Sequence, residues 1–136
     1  MGRDIVQVKA DTAASDNLAK ARTFQGLHEY AAATVHARMA FELILKSICE
    51  KHGIEVRFRS DPRKLSTEDL LTAFEGWLVE PIKTSVAPAI ASNKMFRQLE
   101  LNPFSHSTPV SLAASEVLGA IDAVENLKQA INDHIK

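Results

Sequence analysis

The chain has 136 residues, 46% apolar and 24% charged, with a formal net charge of −1. That length supports one helical core and excludes two independently folding units. The near-neutral balance excludes the bulk positive charge by which proteins coat nucleic acid or bind membrane surfaces. The one cysteine, Cys49, allows no internal disulfide and fits a reducing compartment. Nothing at the amino terminus has the apolar core of a signal peptide, and no run approaches the roughly 20 apolar residues of a membrane span, so a soluble cytoplasmic protein is expected.

Residues 1–15 lack sustained periodicity and end in the small, polar run Asp11-Thr12-Ala13-Ala14-Ser15, which reads as a flexible N-terminal segment or linker with no part in the core. The folded domain is expected over 16–136. From Asp16 to His52 helix formers dominate without a proline, which predicts a first helix to about Gln25 and a long helix stopped by Gly53. Ile54 to Arg59 alternates apolar and charged residues and is closed by Ser60-Asp61-Pro62; without a second strand to pair with, it reads as an extended connection. Ser66-Thr67-Glu68-Asp69 combines a hydroxyl cap with acidic residues in a first turn, opening a helix to about Val79. A further helix spans about Lys83 to Leu101, with Pro88 either in its first turn or dividing it, and Asn102-Pro103 ends it. Thr108-Pro109 starts the last helix, whose stripe runs Val117, Ala120, Ile121, Val124, Leu127, Ile131, Ile135. The fold class is therefore all-α, a bundle of four or five antiparallel helices.

Two features stand out from this frame. On a helical wheel at about 100° per residue, Ala31, Val35, Arg38, Glu42, Leu45 and Cys49 share one narrow arc of the long helix. Arg38 and Glu42 are thus expected on the packed side, where desolvation costs several kcal/mol per ion and demands extra hydrogen bonds, a wet cleft or a partner subunit. The second feature is Leu101-Asn102-Pro103-Phe104-Ser105-His106, where Asn102 and Ser105 flank a stiffening proline and could fix the tautomer and direction of the His106 ring.

The runs Ala37-Arg38-Met39-Ala40-Phe41-Glu42, Cys49-Glu50-Lys51-His52-Gly53, Asp61-Pro62-Arg63-Lys64 and Leu101 to His106 resemble the carboxy-terminal helical region of bacterial AAA-type ATPases. Those are related to the anticodon nucleases, whose nuclease part is assigned to the HEPN superfamily. The resemblance covers about residues 28–132, and Asn-Pro-Phe-Ser-His is its most specific element. It implies a HEPN-like helical bundle that dimerises, a metal-independent ribonuclease activity on RNA such as transfer RNA, a role in phage defence or a toxin system, and an ATPase domain or partner. It implies catalytic roles for Arg38, Glu42 and His106, which match the anticodon nucleases in order and in the first spacing. The general superfamily motif has four to six residues between an Arg and the His; here eight residues separate the nearest upstream arginine, Arg97, from His106, and Arg97 takes a supporting place beside Asn102 and Ser105.

RNA cleavage of this kind needs a base for the ribose 2′-hydroxyl, an acid for the leaving 5′-oxygen and positive charge beside the phosphorane. Glu42 and His106 would divide the proton transfers, and Arg38 would hold the phosphate with forked hydrogen bonds. The requirement for a 2′-hydroxyl makes such a site selective for RNA. No cofactor or metal is implied, because the five histidines show no metal-ligand spacing. His28, His36, His52 and His134 read as helix-surface or helix-end residues, and Phe74 and Trp77 as core. The competing reading is non-catalytic: a dimerisation or partner-binding module joined to an ATPase, in which Arg38, Glu42 and His106 merely tie helices together.

Overall fold

The computed structural model describes the backbone of residues 2–56, 67–101 and 114–135, and the side chains of 12–56, 67–95 and 115–135. Five helices are described: α1 (Gly2–Gly26), α2 (Tyr30–His52), α3 (Thr67–Trp77), α4 (Ile82–Leu101) and α5 (Ala114–His134). The all-α bundle expected from the sequence is thus the observed architecture, and no strand occurs among the described residues.

Helix α1 corrects the reading of residues 1–15 as a linker. The segment is helical from Gly2, and Ala14, only 1% exposed, belongs to the core with Leu18 and Ala21 at one-turn spacing. A small, polar run looks like a linker, yet Ala has the highest helix propensity and its methyl group lets a neighbouring helix come close. The stop after α1 is a Schellman motif: Glu29 N–H donates to the Phe24 carbonyl at 2.8 Å and His28 N–H to that of Gln25 at 3.1 Å. The left-handed position falls on His28 (φ 60°), two residues beyond Gly26.

The same motif ends α2, here with the expected Gly53 in the left-handed position (φ 61°) and Ile54 N–H bonded to the Cys49 carbonyl at 2.8 Å. Ile54 and Val56 then lean on the core; the remainder of the predicted extended connection lies outside the described residues. Helix α3 carries Glu68 and Asp69 in its first turn, favourable against the positive dipole end, and buries Leu70, Leu71 and Phe74. Phe74 is in the core and Trp77 packs against it, as expected. Pro88 sits inside α4, in its second turn.

Every residue of the predicted α5 stripe is buried. Helix α1 lies antiparallel along α2, and α4 lies along α5, where the buried Asn93 donates Nδ2–H to the Ala89 carbonyl at 2.7 Å and to that of Ala123 at 2.9 Å. Helix α5 closes the bundle on α1 through Arg22, whose guanidinium reaches Asp122 at 2.7 Å and Glu125 at 2.6 Å. The four long helices therefore alternate in direction, with short α3 set against α2 in the crossover to α4.

Candidate functional site: the outer face of α2

The wheel reading of α2 is only half right, and the difference places the candidate site. The core face runs through Ala33, Ala37, Ala40 and Ile44, where α1 covers the helix. Of the predicted arc, Leu45 and Cys49 in the C-terminal half are buried, while Ala31, Val35 and Arg38 in the N-terminal half face solvent. A single wheel averages the two halves of α2, whereas in the N-terminal half α1 docks on a row of alanines that carry little hydrophobic weight individually.

Arg38 and Glu42 consequently do not form the expected ion pair in the packed interior. Glu42 is half-buried and pairs with Lys46 one turn on, at 3.0 Å. Arg38 is exposed and makes no ion pair with any described residue. Asn102, Ser105 and His106 lie outside the described residues, and so does the side chain of Arg97, whose backbone belongs to α4. The structure thus brings Arg38 and Glu42 onto one solvent-facing strip, a turn apart, and of the proposed group it places those two alone.

The strip itself is apolar. Val35 is 47% and Met39 42% exposed, with the exposed Ala31 one turn before Val35. Positions 31, 35 and 39 follow one another at one turn each on α2, so they make a continuous ridge and not scattered contacts. Such a ridge, bordered by the Arg38 guanidinium and the Glu42–Lys46 pair, can exclude water against a second apolar surface and offer charges at its rim.

The roles of His36, His52 and Arg22 escaped sequence reasoning. His36 donates from Nδ1 to Asn17 Oδ1 at 2.9 Å, an assignment fixed because the Asn17 amide nitrogen donates to the Ala13 carbonyl at 2.8 Å. Its ring also stacks on Phe24 at 5.3 Å between centroids, so it is an interhelical tie and not a surface histidine. His52 lies 4.8 Å from the Trp77 ring with its Nε2 buried and without a hydrogen-bond partner among the described residues. Burial, with a smaller contribution from the charge of Lys51, lowers its pKa below 6.5. Burial raises the Cys49 thiol to about 11, which leaves it inert as a nucleophile. Only the pairing of Asp122 and Glu125 at one-turn spacing hinted at the α1 cation that they hold.

Among the described residues, no group of three or more His, Cys, Asp or Glu side chains could hold a metal ion, and no helix is long and apolar enough to cross a membrane. No family model, no curated protein and no solved structure matches the chain.

Proposed function

We propose that this chain is a helical pairing module that associates with a second copy of itself through the outer face of α2. The observation that carries the reading is the apolar ridge of Ala31, Val35 and Met39, exposed on a helix whose opposite side is packed. A twofold axis across the ridge sets one Val35–Met39 row against the other, so a single patch serves both partners. It also gives each Arg38, which pairs with no carboxylate among the described residues, access to the Glu42 side of the partner. Solution mass tests this directly. The protein should run as a dimer and Val35→Glu/Met39→Glu as a folded monomer with the same helical circular dichroism; a wild-type monomer at micromolar concentration would refute the reading.

A second reading, metal-independent RNA cleavage, is favoured by one observation: Arg38 is accessible and free of ion pairs with described residues, as a phosphate-holding guanidinium must be. The HEPN resemblance supplies Glu42 and His106 as base and acid, with Asn102, Ser105 and Arg97 in support. Pairing through α2 would then bring two such sites to one seam, and an attached ATPase would control them in phage defence or a toxin system. Transfer RNA incubated in EDTA with wild type, Arg38→Ala and His106→Ala decides it. Cleavage by wild type alone supports the reading, and equal products from all three would attribute them to a contaminant.

A further inference from the structure

Helices α3 and α4 are joined by only four residues, Leu78 to Pro81, yet each packs elsewhere: α3 on α2, and α4 on α5. Between them remains a hollow of about 240 Å³. Its floor is apolar, formed by the buried Leu78 and Ile90 together with the exposed methyl groups of Ala87 and Ala91. On α4 the row continues past the hollow to Met95, 56% exposed one turn beyond Ala91. Lys83, Ala87, Ala91 and Met95 succeed one another at single-turn spacing on one face of α4, giving a trough about 18 Å long, the length of some three helical turns.

The rim is charged, and its sign is decided by pairing. Lys94 binds both carboxylate oxygens of Glu75, at 2.8 and 3.0 Å, so these two cancel across one end of the trough. Lys83 at the other end has no acidic partner among the described residues; the nearby Glu80 carboxylate instead accepts from the Thr84 hydroxyl. Of the three charged residues that line the hollow, Glu75, Lys83 and Lys94, this pairing leaves one positive charge, at Lys83, while Glu80 outside the lining keeps its negative charge. A second copy suits it poorly through either apolar surface described above, because among the described residues the α2 ridge carries Arg38 and the trough Lys83, each without an acidic partner.

We infer that the trough between α3 and α4 seats an amphipathic helix of a different polypeptide, anchored by a leucine or phenylalanine over Ala87 and Ala91 and carrying a carboxylate that meets Lys83. Helix-in-groove recognition of this type takes its affinity from the apolar anchor and its orientation from the rim charge. The site is separate from the α2 face, and neither depends on the other.

The probe is a fluorescein-labelled amphipathic peptide with Leu and Phe at one-turn spacing and glutamates at its ends. It is compared with a scrambled peptide of the same composition and with a version bearing Lys for Glu. The Glu peptide should bind saturably by fluorescence polarisation, with methyl NMR shifts confined to Leu78, Ala87, Ile90, Ala91 and Met95. Lys83→Glu should weaken it about fivefold, and Ala91→Phe, which fills the hollow from an exposed position, about tenfold. Glu75→Gln, which frees Lys94 to face the ligand, should tighten binding about threefold. Equal binding of the scrambled or Lys peptide overturns the inference, and so do shifts centred elsewhere or unsaturable binding to a folded protein. A change of solution mass in Ala91→Phe also overturns it, by making a second copy the occupant.

Discussion

Replacing Asn93 by aspartate tests the helix pairing that supports the trough from behind. Asn93 is 4% exposed, and its amide nitrogen gives one hydrogen to the Ala89 carbonyl and the other to the Ala123 carbonyl of α5. An ionised aspartate offers neither hydrogen and turns negative oxygen toward two carbonyl oxygens. Losing two hydrogen bonds costs about 2 kcal/mol net. Burial adds about 1.4 kcal/mol for each unit by which it raises the aspartate pKa in the fold. The sign follows from proton linkage: a folded pKa above the unfolded value of about 3.9 means that the folded state keeps a proton the unfolded chain has released, so stability is lost as pH rises. The protonated acid still donates once, so the destabilisation should be about 1 kcal/mol near pH 4 and grow to about 3–4 kcal/mol at pH 7. Asn93→Leu should cost about 1–2 kcal/mol at every pH, because it has nothing to titrate. Urea unfolding followed by Trp77 fluorescence and circular dichroism, referenced to wild type at each pH, measures both. A flat difference for Asn93→Asp between pH 4 and pH 7 would refute a buried Asn93 bridging two carbonyls.

His52 should give the opposite pH dependence. Its lowered folded pKa makes stability complete above pH 6.5 and declining as pH falls, with Trp77 emission quenched as the imidazolium forms against the ring; His52→Gln should flatten both curves. The two helix stops should respond unequally to substitution. Gly53→Ala should destabilise by about 1 kcal/mol, since open space surrounds the position and only the left-handed backbone resists, whereas His28→Gly should stabilise by up to about 1 kcal/mol in thermal melts. Cys49, with its thiol raised to about 11, should react with Ellman's reagent at pH 8 only as fast as the fold opens, and at once in urea.

Much of the fold is legible in the residues because large apolar side chains recur at helical spacing. The α5 stripe, the Gly53 stop and the acidic first turn of α3 each follow from local chemistry, and local chemistry suffices where one face is strongly apolar. Helix α2 is harder. Its N-terminal half buries only Ala33, Ala37 and Ala40, while its C-terminal half also buries Leu45 and Cys49, and one wheel averages the two halves, so Arg38 and Val35 read as buried when they face water. The linker reading of residues 1–15 fails because Ala14 is too small to advertise a core position.

The amino-acid sequence by itself determined the helical class, most helix ends and the core of α5, because propensity, capping and periodicity act within a few residues. Only the tertiary structure decided which side of α2 meets water, that His36 ties α1 to α2, and that α3 and α4 stand apart over an apolar trough. Those outcomes depend on which neighbour covers which face, and that is settled by close approach of small side chains distant along the chain, where no local pattern carries the signal.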